Sequence, residues 1–228
     1  MKNWSYGAKN KRFVASYSGG KDSTLALYKA MAEGTAIGLI VMMEEDGERS
    51  RAHSISPTFL KAQADAIGLP LYTGSATWEG YEEVFVKLLN DAKKSGAEVL
   101  LTGDIDVPEK DCWHERVTNS VGLSLGMPLW KKDHKEVVEE FINLGFLTKV
   151  VTINLKKGMK KDDLGRIMTL EYMKELEERG IDPCGEAGEF HTTVIGGPIF
   201  KENLKVKHGE ITTKDHYMYL ELELENNK

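Results

Sequence analysis

At 228 residues, with 41% hydrophobic and 29% charged positions, the chain has the make-up of a globular protein of one large domain, or of one domain and a smaller lobe. A net charge of −6 argues against a duplex nucleic-acid surface, and two distant cysteines, Cys112 and Cys184, form neither a zinc pair nor a disulfide framework. The longest apolar run, Ala36 to Met43, is far too short to span a bilayer, and Met1 to Lys11 is polar without an apolar signal core, so a cytoplasmic protein with no membrane partner is expected.

The first half alternates strands and helices. Phe13 to Tyr17 reads as a buried strand, and Lys21 to Met31 as a helix with Leu25, Tyr28 and Ala32 on one face and Gly34 ending it. Ala36 to Met43 is near-continuously apolar, the mark of a parallel strand covered on both faces. Ser56-Pro57 reads as an N-cap followed by proline at the first helical position, with Gly68 as the stop. Leu71 to Thr73 is a short strand, and from Trp78 the residues Tyr81, Val84, Phe85, Leu88, Leu89 and Ala92 keep helical spacing. Glu98 to Thr102 is the next strand, Gly103-Asp104 a loop, and Pro108 is expected to open a helix running to about Ser124. This alternation predicts an α/β fold with a doubly wound parallel sheet, whose ligands bind at the carboxyl ends of the strands.

After about Trp130 the pattern changes. Lys135 to Leu144 and Leu170 to Arg179 are predicted helices, and Leu147 to Leu155 a strand. In Tyr217 to Glu225, Tyr219, Glu221, Glu223 and Glu225 share one face of a strand, opposite Leu220, Leu222 and Leu224. The expected division is a nucleotide-binding domain over 1–130 and a smaller C-terminal α+β lobe over 131–228, ending in the polar tail Asn226-Asn227-Lys228.

Between the first strand and the first helix lies Ser18-Gly19-Gly20-Lys21-Asp22-Ser23. A helix N-terminus carries unpaired N–H groups and a partial positive charge, so a glycine turn there suits phosphate. Gly19 and Gly20 allow close backbone approach; Ser18 and Ser23 add hydroxyls, Lys21 a charge, and Asp22 a group that orients magnesium or caps the helix. The kinase-type P-loop does not fit: Ala15 stands where its first glycine belongs and Asp22 where its magnesium-binding hydroxyl belongs. The stretch instead resembles the S-G-G-x-D-S loop of the ATP pyrophosphatases, the PP-loop family, at every fixed position.

A second constellation, Cys184-Gly185-Glu186-Ala187-Gly188-Glu189-Phe190-His191-Thr192, gathers two carboxylates, an imidazole and two glycines, and opens as a loop. Carboxylates so placed bind ammonium, accept protons from an attacking amine or ligate magnesium; the alternative is a solvated surface turn. Taken in order with the first loop, Gly103-Asp104, Trp113-x-Glu115-Arg116 and Pro128-Leu129-Trp130, this segment resembles the diphthine–ammonia ligase branch of the PP-loop superfamily over about Arg12 to Phe200. The branch's usual G-E-G-G-E-F has Ala187 in place of its middle glycine here.

The resemblance implies a fold of the adenine nucleotide alpha hydrolase type, ATP and magnesium as cofactors, and a reaction that amidates the carboxylate of diphthine, a modified histidine on elongation factor 2, with ammonium as nitrogen source. By position, Ser18, Gly19, Gly20, Lys21, Asp22 and Ser23 would hold pyrophosphate, with Lys21 and Asp22 catalytic and Asp22 near magnesium. Backbone at Val41 to Met43 would receive adenine, and Gly103 and Asp104 would face ribose or the α-phosphate. Glu186, Glu189 and Thr192 would line the acceptor and ammonia side, with Glu115 and Arg116 reaching toward substrate; a solvated helix pair is the alternative for these last two. His53, in a loop after the second strand, is expected to be a surface histidine, with contact to nucleotide as the alternative; His114, His134, His208 and His216 read as surface residues, and Cys184 as a structural or silent thiol, with a sulfur-transfer thiol as the alternative. An AMP-forming ligase for another carboxylate and a non-catalytic adenine-nucleotide sensor stay open as alternatives, as does a homo-oligomer.

Overall fold

The computed structural model describes residues 2–225, so Met1 and the tail Asn226–Lys228 lie outside the described residues. Contacts divide the chain into two compact units, one of residues 1–18, 22–52 and 69–132, the other of 19–21, 53–68 and 133–228. The single cut expected between residues 130 and 131 assigns 53–68 to the first domain, whereas the contacts place it in the second unit.

The first unit is built on a five-stranded parallel sheet of β1 (Arg12–Ser16), β2 (Thr35–Met43), β3 (Leu71–Ser75), β4 (Val99–Leu101) and β5 (Ser124–Gly126), in the order β3-β2-β1-β4-β5. Its helices are α1 (Lys21–Met31), α3 (Tyr81–Lys94) and α4 (Trp113–Val121); α2 (Pro57–Ile67) belongs to the second unit. Val14, Ile40 and Leu100 from the sheet pack with Phe85, Leu89 and Ala92 of α3 and Val117 and Val121 of α4 in one apolar layer. Strand order reverses between β1 and β4, and the chain leaves both at their carboxyl ends, at Ser18 and at Gly103. This is the switch point at which open α/β sheets bind ligands.

The second unit is an antiparallel sheet of order β7-β6-β9-β8, formed by β6 (Leu147–Asn154), β7 (Phe190–Gly196), β8 (Val206–Lys214) and β9 (Tyr217–Leu224), with α2, α5 (His134–Asn143) and α6 (Leu170–Glu178). Leu220 and Leu222 are buried on β9, as the alternation required. Together the units give the expected fold class, a parallel α/β sheet with a further α+β portion. No helix among the described residues is long and apolar enough to cross a membrane.

Three expectations need correction. The helix predicted from Pro108 to Ser124 begins only at Trp113, because Asp111 takes φ +59° and Cys112 is extended; Gly122, left-handed, ends it. Ser124 instead opens β5, only three residues long and without a pattern of its own. Strand β8 also escaped notice: it is an edge strand, largely exposed and rich in lysine and threonine, so it lacks apolar alternation.

Helix α2 matches its sequence signals at both ends. The Ser56 hydroxyl accepts the Phe59 N–H at 3.4 Å, Pro57 takes the first helical position, and Gly68 caps the C-terminus in left-handed conformation. Replacing Ser56 by alanine removes that acceptor and is expected to lower unfolding stability by about 1 kcal/mol in urea titration, with the denaturant slope unchanged.

Candidate active site

The Ser18–Ser23 turn forms at the end of β1 and feeds directly into α1. The Ser23 hydroxyl accepts the Ser18 N–H at 3.2 Å and lies 3.0 Å from the Ser18 hydroxyl, closing the mouth of the turn. Beside it, Gly103 packs against the Asp22–Ser23 peptide so closely that a β-carbon would stand 2.7 Å from the Ser23 nitrogen. A glycine is required there for β4 and the start of α1 to meet. Asp104, next in the chain, lies 3.6 Å from His114 Nε2. Asp22, half-buried in the first turn of α1, supplies the oxygen-donor chemistry that magnesium prefers.

The apex of the turn, Gly19 to Lys21, is held by the second unit's strand β7 and helix α2. Gly19 carbonyl oxygen accepts from Val194 N–H at 2.9 Å and from Gln63 Nε2 at 3.1 Å. Lys21 N–H donates to Thr192 Oγ1 at 3.2 Å. The buried Lys21 ammonium donates to the Cys184 carbonyl and lies 5.9 Å over the Phe190 ring. Thr192, expected on the acceptor side, thus also accepts from the Ser18–Ser23 turn through its hydroxyl.

His53 is half-buried rather than fully exposed. Its ring covers Gly20, with Cε1 only 2.2 Å from where a β-carbon on Gly20 would stand, and Nδ1 sits 2.7 Å from the Thr192 carbonyl. Because a carbonyl only accepts, Nδ1 carries the proton. The His191 ring lies 4.8 Å away. Desolvation, aided by the nearby Lys21 charge and opposed by the Thr192 carbonyl, lowers the His53 pKa to about 4.

The acidic segment is a loop leading into β7, as expected. Asp182 caps it, accepting the Cys184 and Glu186 N–H groups, and is itself 2.8 Å from His134 Nδ1. Glu186 is exposed, whereas Glu189 is 8% exposed and its Oε2 is buried without a hydrogen-bond partner. A carboxylate oxygen so placed is poised for a cationic or N–H partner.

The remaining candidates lie in the first unit. Val41 and Met43 are buried at the end of β2, and the Met42 carbonyl between them accepts Arg51 N–H at 3.0 Å. Glu115 pairs with Lys2, and Arg116 binds Glu82 at 2.7 Å; with help from the Trp113 indole, Arg116 holds the Glu82 carboxyl at about 2. Glu115 and Arg116 also line an open groove of about 860 Å³ with Lys2, Glu109 and Cys112.

With this geometry in place, comparison with known proteins is decisive. The model of the diphthamide synthase N-terminal domain matches residues 11–125, and that of the diphthamide synthase C-terminal domain matches 133–226. The chain belongs to the diphthamide synthase family. It is 26% identical over 229 residues to a diphthine–ammonia ligase of Schizosaccharomyces pombe, covering 85% of this chain, and it spans only 36% of the length of that relative. To the diphthine–ammonia ligase of Bos taurus it is 23% identical over 249 residues, covering 94% of this chain and 93% of that protein. Among solved structures, a predicted subunit of tRNA methyltransferase from Methanocaldococcus jannaschii aligns at TM-score 0.43 and 15% identity, over 82% of this chain and 98% of that one; a likeness this loose carries no argument.

The departure of this diphthamide synthase family member at Ala187 needs no distortion. Positive φ falls on the flanking glycines, Gly185 at +73° and Gly188 at +82°, and not on Ala187. The turn therefore tolerates a β-carbon at this position.

Of two side chains that touch the Ser18–Ser23 turn from elsewhere in the second unit, Gln63 was not recognised from the sequence, and His53 was weighed for nucleotide contact but read first as a surface histidine. Gln63 carried a signal: it falls at helical spacing among Phe59, Leu60, Ala64 and Ile67, a polar residue inside an apolar stripe. For His53 a test follows from its pKa. The folded pKa lies below the unfolded value near 6.5, so stability is full above that value and falls as pH drops toward 4, where the unfolded chain binds a proton that the folded chain refuses. Between pH 7 and pH 5 this single group is expected to cost about 2 kcal/mol in urea unfolding, and His53→Gln should remove that part of the pH dependence.

Proposed function

We propose that the protein is an ATP-dependent ligase that forms AMP and pyrophosphate while amidating a carboxylate, with diphthine on elongation factor 2 as acceptor and ammonia as nitrogen donor. The observation that carries the reading is the arrangement along β7. Thr192 and Val194 hold the phosphate-loop apex, and three residues before Thr192 (about 10 Å of extended chain) stands the buried carboxylate of Glu189 with an unpartnered oxygen. One short segment thus serves both the pyrophosphate side and the ammonia side.

Each step then has residues to perform it. A carboxylate is a poor electrophile; attack of its oxygen on the α-phosphorus of ATP makes a mixed anhydride and releases pyrophosphate. N–H groups at the start of α1 and the Lys21 ammonium stabilise charge growing on that leaving group. An ammonium group has three donors, so serving the Cys184 carbonyl is compatible with serving phosphate oxygens. Asp22 is the residue placed to orient magnesium, which when bound supplies a Lewis acid for the phosphate oxygens. Glu189 binds ammonium and takes its proton, leaving ammonia free to attack the acyl carbon and expel AMP. Both names borne by the relatives and both matched domains support this reading.

Pyrophosphate release is expected from ATP, magnesium, ammonium and elongation factor 2 carrying diphthine, and to depend on that acceptor. Lys21→Ala should lower the rate by about 100-fold or more. Glu189→Gln should slow amide formation by about 100-fold while leaving ATP affinity unchanged. Release with a different carboxylate, and none with diphthine, would move the assignment to another acceptor; ATP binding without any turnover would make the protein a nucleotide sensor.

A further inference from the structure

Gln63 has no exposed surface, and its two amide atoms are treated very differently. Nε2 donates to two main-chain carbonyls, those of Gly19 at 3.1 Å and Val194 at 2.7 Å. Since both partners can only accept, they fix which end of the amide is which. That leaves Oε1 buried without a partner, 2.7 Å from where a β-carbon on Gly19 would stand. A half-satisfied buried amide lowers stability relative to an apolar side chain of the same shape. Helix α2 does not require it either, because Phe59, Leu60, Ala64 and Ile67 already make its buried stripe.

The donor half explains why a glutamine stands here. The Gly19 carbonyl is gripped by two donors, Gln63 Nε2 and the Val194 N–H. A trans peptide is planar, with its C=O and the following N–H pointing in opposite directions. Pinning the Gly19 oxygen toward β7 and α2 therefore turns the Gly20 N–H to the opposite side. We propose that Gln63 is a positioning residue of the phosphate loop: by holding the Gly19 carbonyl it fixes the Gly19–Gly20 peptide, and with it the shape of the turn that receives the pyrophosphate part of ATP. This rests on the phosphate-loop reading above. Gln63 touches no substrate itself; it acts by preorganising the backbone of the turn, which otherwise would have to be ordered on binding.

The test is calorimetric binding of magnesium pyrophosphate, AMP and ATP to the full chain, for wild type, Gln63→Leu and Gln63→Met, with thermal melts alongside. Wild type is expected to bind all three ligands. Gln63→Leu should lose tenfold or more in affinity for pyrophosphate, keep AMP affinity within twofold, and melt at the same or a higher temperature because the orphaned oxygen is gone. A merely structural glutamine would instead lower the melting temperature and weaken pyrophosphate and AMP together. That result, or equal pyrophosphate affinity in wild type and variant, overturns the proposal while leaving the ATP reading intact. Wild type that binds neither pyrophosphate nor ATP overturns the ATP reading, and the proposal with it. Should Gln63→Leu fail to fold, Gln63→Met, which keeps the unbranched stem without the amide, gives the same readings.

Discussion

The hydrogen bonds that tie Gly19 and Lys21 to β7 are the constraint on which the rest of the site depends. A loop of serine and glycine has many conformations open to it, and the role proposed for it, receiving phosphate groups, needs a single one. Here the Gly19 carbonyl and the Lys21 N–H are taken by Val194 and Thr192, at 2.9 and 3.2 Å. Each is a main-chain group of the loop, so holding it sets the direction of its neighbours. Within the first unit, the Ser18–Ser23 hydroxyl pair and the close approach of Gly103 hold the two ends of the turn. Phosphate recognition of this kind is a property of backbone geometry first and of side-chain charge second.

The same strand gives the acidic segment its significance. The Cys184–Glu189 loop would be an ordinary surface turn were it not for its exit into β7 and for its carbonyl at Cys184, which receives the Lys21 ammonium. Asp182 organises the loop from within by capping two of its N–H groups, and His134 backs Asp182. Glu186 and Glu189, alike in sequence, have different surroundings: one is solvated, the other buried with an oxygen to spare. On the proposed chemistry that difference separates a group that meets bulk solvent from one that handles ammonium in a protected place. Ala187 is accommodated because the backbone's positive φ angles sit on either side of it.

Much of this was legible in the residues. The Lys21–Met31 helix, the apolar run into Met43 and the cap signals at Ser56, Pro57 and Gly68 are all local, and local signals survive folding. The Ser18–Ser23 turn between β1 and α1 was legible for the same reason, since its six positions are consecutive. What escaped the sequence were features decided by partners distant along the chain. Thr192 read as an acceptor-side residue, and nothing in its neighbours reveals that it also meets Lys21, 171 positions away. His53 read first as a surface residue because the polar stretch around it hides its packing against Gly20 and Thr192. Strand β8 went unseen because an exposed edge strand needs no apolar alternation, and α4 was drawn too long because the break at Asp111 is a conformational event without glycine.

Transfer of oxygen from the acceptor would test the chemistry most directly. With unlabelled ATP and a diphthine carboxylate enriched in ¹⁸O, attack of that carboxylate on the α-phosphorus must leave one labelled oxygen on AMP when ammonia completes the amide. Mass spectrometry of the products should find the label in AMP and none in pyrophosphate. Label in inorganic phosphate would mean attack on the terminal phosphorus, and unlabelled AMP would mean hydrolysis without activation of the acceptor; either would contradict the assignment of this loop to a pyrophosphate-releasing ligase.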